Sequence, residues 1–145
     1  MTDRPVPGGD PDLTLQTVLT DDLREWLMAD LRYAVLAINA NGAAPSQSVM
    51  WFDLDPDEPD IILMNTMVRR LKYRQLQHDP KVSVLFEDGL NWVAMRGTVE
   101  LDDAFRPALD HIQALARRYD GDPARYEGQE RVIIRMRVEK VIRHG

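Results

Sequence analysis

The stretch Tyr33-Ala34-Val35-Leu36-Ala37-Ile38-Asn39-Ala40-Asn41-Gly42 decides how the rest of the chain is read. A short apolar run ends in Asn and Gly, residues that tolerate the positive φ angles of a tight hairpin turn. The chain therefore reverses, and a second strand near Ser46 to Asp55 returns beside the first. There Gln47, Val49 and Trp51 alternate with Ser48, Met50 and Phe52 at the two-residue period of a strand. This strand stops in Asp55-Pro56-Asp57-Glu58-Pro59-Asp60, whose two prolines and lack of EF-hand order predict a solvated turn rather than a calcium loop.

Outward from this hairpin the pattern stays antiparallel. On the N-terminal side, Thr20 precedes Asp21 and Asp22, and Leu23, Trp26 and Leu27 recur at helical spacing, which predicts a short amphipathic helix. On the C-terminal side, Ile61 to Thr66 is a third strand. Val68 to Gln77 is too polar and basic for a core strand and reads as a short helix ended at His78-Asp79-Pro80. Lys81 to Phe86 and Trp92 to Leu101 are two more strands around an Asp88-Gly89 turn, with Gly97 marking a bulge or a close approach. Phe105, Leu109, Ile112, Leu115 and Ala116 give the longest helix, Asp103 to about Tyr119. Arg131 to Arg143 closes the chain as a strand with Val132, Ile134, Met136 and Val138 on one face and Arg131, Arg135 and Arg137 on the other, suited to an acidic cofactor tail or, as the preferred reading, to ion pairs across the sheet. Six short strands with hairpin turns lack the alternating order of a doubly wound sheet, so the fold class is α+β, mainly β: an antiparallel six-stranded barrel with flanking helices.

The 145 residues, 44% hydrophobic and 29% charged, suit one globular domain. The proline- and glycine-rich residues 1–12 read as a flexible arm and 13–145 as the domain. No apolar run approaches the roughly 20 residues of a membrane span, and Met1-Thr2-Asp3-Arg4-Pro5 lacks signal-peptide character, so the expected location is cytoplasmic. A net charge of -6 argues against nucleic acid as a partner, since phosphate-backbone affinity needs a basic face. The absence of cysteine excludes disulfides, thiolate metal sites and cysteine nucleophiles. His78, His111 and His144 have no metal-ligand spacing; they read as surface or capping residues, and no metal is expected.

Two stretches carry chemistry. In Asn65-Thr66-Met67-Val68-Arg69-Arg70-Leu71-Lys72-Tyr73-Arg74 a strand ends in amide and hydroxyl side chains where a basic helix begins. Phosphate is held in this way, by free backbone N–H groups, the positive end of the helix dipole and cationic side chains. A solvated basic helix face fits the composition equally well. Ser46-Gln47-Ser48-Val49-Met50-Trp51 mixes hydrogen-bonding groups with an aromatic ring and a thioether, which suits a flat polar heterocycle or, equally, a half-buried barrel strand.

Taken in order, Ala34-Val35-Leu36-Ala37, Asn41-Gly42, Pro45-Ser46-Gln47-Ser48-Val49, Asn65-Thr66, Arg70-x-Lys72, Leu76, Asp79-Pro80-x-Val82-Ser83 and Arg96-Gly97-Thr98-Val99 resemble the pyridoxamine 5'-phosphate oxidase-like split barrels. The chain from Leu23 to Val141 is most similar to their B-type flavin/deazaflavin oxidoreductases, many of which use coenzyme F420. The resemblance implies a split barrel that holds the cofactor phosphate at Arg70 and Lys72, assisted by Asn65 and Thr66. It places the ring along Gln47, Ser48, Val49, Met50 and Trp51, mainly through backbone groups. It implies a homodimer with the cofactor, F420 or alternatively FMN, at the interface, and hydride transfer to or from a small organic substrate. Trp92 stands where the oxidases place a polar cofactor contact, and their C-terminal substrate motif is missing, which disfavours oxidation of vitamin B6. A flavin- or haem-binding carrier or sensor without turnover is the alternative on the same barrel.

Overall fold

The computed structural model describes residues 18–144. The expected arm, 1–12, lies outside the described residues, as do 13–17 and 145 of the expected domain. In chain order the elements are α1 (Asp21–Ala29), β1 (Ala34–Ala40), β2 (Ala43–Met50), β3 (Asp53–Leu54), β4 (Ile61–Met67), α2 (Leu71–His78), β5 (Lys81–Phe86), β6 (Val93–Asp102), α3 (Phe105–Arg118), a 3-10 turn (Pro123–Tyr126) and β7 (Arg131–Arg143). All pairings are antiparallel, in the order β2-β1-β5-β6-β7-β4-β3. No helix among the described residues is long and apolar enough to cross a membrane.

The strand expected over Ser46 to Asp55 is two strands. β2 pairs with β1, β3 pairs with β4, and only Trp51 and Phe52 lie between them. In a flat seven-stranded sheet the two edges would stand about 29 Å apart, whereas the links from Met50 to Asp53 reach at most about 11 Å. The sheet must therefore roll until its edges approach. It remains unclosed, because β2 and β3 do not pair with each other. Alternation alone could not signal this break, since the side chains continue to alternate through the corner.

Phe52 turns into the main core, fully buried and edge-on to Phe86 at 4.9 Å between ring centroids. Trp51 turns the other way and stacks on Tyr119 at 5.2 Å and 6°. Without a ladder partner, the corner backbone is satisfied from the end of α3. The Phe52 N–H donates to the Tyr119 hydroxyl at 3.3 Å, and Arg118 Nε donates to the Phe52 carbonyl at 3.3 Å. The Tyr119 hydroxyl in turn donates to the Arg32 carbonyl, and its burial pushes its pKa up, keeping the proton in place.

The main core joins Leu23 and Leu27 of α1 to the inward residues of the barrel, including Leu36, Met64, Met95, Ile134 and Met136. α3, starting at Phe105 rather than Asp103, lays Leu109, Ile112, Leu115 and Tyr119 against Trp51 and Tyr126 in a second, smaller core. Gly42 adopts φ +77°, as the hairpin requires. At Gly97 the β6–β7 register shifts, and a Cβ there would stand 2.1 Å from the Arg137 carbonyl oxygen, so only glycine fits.

The acidic turn is anchored rather than solvated. Asp55 Oδ1 accepts from the N–H groups of Asp57 (2.8 Å) and Glu58 (3.0 Å), and Arg135 binds Asp55 (2.9 Å) and Glu58 (2.8 Å) from β7. Arg137 adds a bond to Glu58 at 3.1 Å, so of the cross-sheet ion pairs expected for Arg131, Arg135 and Arg137 the last two form, whereas Arg131 bonds instead to the neutral side chains of Asn65 and Gln129. Asp60 Oδ1 accepts from the N–H groups of Val18 and Leu19, fixing the chain ahead of α1. Burial works against ionisation of Asp55, but the two N–H groups and Arg135 outweigh it and hold its carboxyl below the usual range.

Tyr119→Phe leaves buried polar groups of the corner unpaired and should cost about 1–3 kcal/mol in urea unfolding. Because the folded Asp55 pKa is lowered, its contribution is complete above about pH 4 and is lost as pH falls through the folded value. Asp55→Asn should therefore lower stability at pH 7, with the gap to the wild type closing in acid; a gap independent of pH would count against the ion-paired turn.

Candidate functional site

The site is built where β4 gives way to α2. Across β4 the side chains alternate: Met64 and Thr66 face the barrel side, while Asn65 faces α3. The chain then turns at Val68, whose N–H donates to the Glu130 carbonyl (3.0 Å), and at Arg70, whose N–H donates to the Met67 carbonyl (3.1 Å). The helix expected from Val68 thus begins only at Leu71, with extended Arg70 as its N-cap residue. Among the described residues no side chain caps this end and no acidic residue lies in its first turn; the Tyr73 N–H is taken by the Arg70 carbonyl (3.1 Å), which leaves the N–H groups of Leu71 and Lys72 and the helix dipole for an anion.

Arg70 and Lys72 therefore flank a helix start. Arg70 is exposed and Lys72 half-buried. Burial, and then the charge of Arg70, lower the Lys72 pKa. Arg131 at the head of β7 pairs in register with Met67, bringing a further cation to this corner. None of the three has a carboxylate partner among the described residues, whereas Arg32, Arg106, Arg135 and Arg137 all have one. A corner of like charges beside uncapped N–H groups fits a phosphate in charge and in donor chemistry.

α2 connects this corner to the β2 edge. Gln75, one turn beyond Lys72, makes a 3.1 Å hydrogen bond with Ser46. Among the described residues β2 pairs only with β1, so the backbone groups along its other side have no strand partner there. Its side chains divide. Gln47 and Val49 are exposed, the latter at 67%, and Ser48 is half-buried with its hydroxyl 3.6 Å from the Met50 sulfur. Met50 is in the core and Trp51 lies under Tyr119, so these two side chains are engaged by the protein itself.

Asn65 is engaged just as fully. Arg131 Nε can only donate, so the 2.9 Å contact fixes Asn65 Oδ1 toward it. Nδ2 then donates to the Ala108 carbonyl and to His111 Nδ1, both at 3.0 Å, and His111 Nε2 donates to Asp53 at 3.1 Å. His111, expected at the surface, has a side chain only 9% exposed and ties α3 to β3 and β4. Nothing local could have revealed this chain, because its members come from four separate elements. His144, by contrast, stacks on Trp92 at 5.4 Å, with Nδ1 2.7 Å from the Leu90 carbonyl oxygen.

On the outer face, the register aligns Val49, Val35, Leu85, Ala94 and Ile142 in an apolar row across five strands. In the next row, Gln47, Ala37, Ser83, Arg96 and Lys140, the middle three line a groove of about 350 Å³ whose wall also includes Pro45, Lys81 and Glu139.

Comparison with known proteins agrees with this architecture. A solved structure named F420 reductase is 26% identical, covering 81% of this chain and 94% of its own, with a TM-score of 0.69. Protein Rv2991 from Mycobacterium tuberculosis is 21% identical, covering 88% and 86%, with a TM-score of 0.71. General Stress Protein 26 from Bacillus anthracis is 17% identical, covering 84% and 93%, with a TM-score of 0.61. The last two show a common fold alone. No curated protein sequence matches the chain. The family model described as pyridoxamine 5'-phosphate oxidase matches residues 19–145, and with the rolled, unclosed antiparallel barrel this places the chain in the pyridoxamine 5'-phosphate oxidase family.

Proposed function

We propose that this protein is an oxidoreductase that transfers a hydride between coenzyme F420, or FMN in its place, and a small organic substrate. The observation that carries the reading is the pair of cations, Arg70 and Lys72, that have no carboxylate partner among the described residues and stand at an uncapped helix start that α2 links to an edge strand. When bound, the cofactor supplies the hydride donor and acceptor, so the chain needs no acid–base dyad of its own for that step. Arg70 and Lys72 hold the phosphate, and Thr66, buried at the end of β4, assists from the strand. The free backbone edge from Gln47 to Trp51 orients the ring, and Gln47 and Val49 are the side chains open to it. F420 is favoured over FMN by the likeness to the F420 reductase.

A second copy of the chain completes the reading. The apolar row from Val49 to Ile142 lies beside the edge strand, so a homodimer formed over it would enclose the ring and keep water from the transferred hydride.

Side-by-side calorimetric titration of the purified protein with F420 and FMN tests the cofactor. Tight F420 with weak FMN is expected; binding of neither overturns the proposal. Acceleration of cofactor reoxidation by a panel of enones and quinones separates an enzyme from a carrier, and no acceleration would favour the carrier. Replacing both Arg70 and Lys72 with alanine should preserve the fold and weaken cofactor binding by about a hundredfold or more. Leu85→Arg, which places a charge in the centre of the apolar row, should convert dimer to monomer in sedimentation velocity.

A further inference from the structure

We infer that Arg131 is a third ligand of the anion at the start of α2 and that Asn65 positions it, an inference resting on the reading of that corner as a phosphate site. Three arginines follow one another on the same face of β7, and their surroundings differ. Arg135 and Arg137, with side chains 25% and 51% exposed, both meet carboxylates of the acidic turn. Arg131 is only 8% exposed, yet its partners are neutral: Asn65 Oδ1 accepts from Nε, and Gln129 Oε1 accepts from Nη1, both at 2.9 Å. The Tyr126 ring stands 5.4 Å from its guanidinium carbon. A guanidinium withdrawn from water without a counter-charge is costly, and a neighbouring cation adds to the cost. Burial, with the charge of Arg70 adding to it against an opposing pull from Tyr126, brings the Arg131 pKa down to about 10. An anion in the corner would relieve this burden.

The geometry also leaves Arg131 a donor to offer. Nη2 has no hydrogen-bond partner among the described residues, and the one buried side-chain nitrogen left without a partner is Arg118 Nη2. Arg131 Nη2 therefore opens to solvent. Its direction is fixed from behind, because the Asn65 amide cannot invert without facing its nitrogen to Arg131 and its oxygen to the Ala108 carbonyl. The Met67–Arg131 pairing and the Val68-to-Glu130 hydrogen bond tie the head of β7 to the turn that carries Arg70. Asn65 thus serves the anion through Arg131 rather than by touching it.

The test compares ligands with and without phosphate on the full chain: FMN against riboflavin, and F420 against its phosphate-free deazaflavin core. Arg131→Gln should weaken the phosphorylated ligand by about ten- to a hundredfold while leaving the phosphate-free one unchanged. Equal loss for both, or no loss, overturns the assignment. If circular dichroism shows that Arg131→Gln does not fold, Arg131→Lys takes its place, with a smaller loss that must again fall on the phosphorylated ligand alone. Calorimetric titration with pyrophosphate at low salt separates this inference from the proposed function. Pyrophosphate binding that depends on Arg131 in a protein that takes no flavin would sink the oxidoreductase reading and leave the anion site standing. Pyrophosphate binding indifferent to Arg131 would remove Arg131 from the site, and binding of neither flavin nor pyrophosphate overturns both.

Discussion

Two residues, Trp51 and Phe52, join opposite edges of a seven-stranded sheet, and the curvature of the whole barrel is a consequence of that short link. The corner would be unfavourable by itself, because its backbone leaves the ladder while partly buried. It persists because three different interactions meet there. Phe52 fills the main core, Trp51 fills the smaller one, and Arg118 and Tyr119 supply the hydrogen bonds that strands would otherwise provide. The end of α3 is therefore part of the barrel and not an appendage to it.

The same economy governs the charges. The acidic turn and the middle of β7 neutralise one another, which ties the turn between β3 and β4 to β7, the strand beside β4. The basic corner at α2 has no such counterpart among the described residues. Acid and base pair where strands and turn are tied together, and the cations of the α2 corner meet without acids among the described residues. A phosphate-bearing ligand would do for Arg70 and Lys72 what Asp55 and Glu58 do for Arg135. Neutral amides can hold a cation in place without cancelling its charge, which is what Asn65 and Gln129 do at Arg131.

Much of this was legible in the sequence because it depends on local chemistry. The Asn41-Gly42 hairpin, the close approach at Gly97, the inward face of β7 and the periodicity of α3 are each written in residues a few positions apart. The break at Trp51-Phe52 was not, because the pleat continues through it and only the change of partner marks it. The phosphate-like corner was legible as an order of residue types. The roles within it were not: Asn65, which reads as a helper at the strand end, has every side-chain group engaged by Ala108, His111 and Arg131.

By itself, the sequence determined the antiparallel α+β class, the strand-to-helix transition at Asn65–Lys72 and the family resemblance, all of which rest on short-range periodicity and motif order. Only the tertiary structure decided that the sheet rolls, that His111 is enclosed between Asp53 and Asn65, and that Arg131 is held by neutral amides while Arg135 and Arg137 stand among acids. The physical reason is the same in each case. Alternation fixes which face a side chain takes, but its charge partner or hydrogen-bond partner comes from a strand or helix tens of residues away, and only the packed sheet brings the two together.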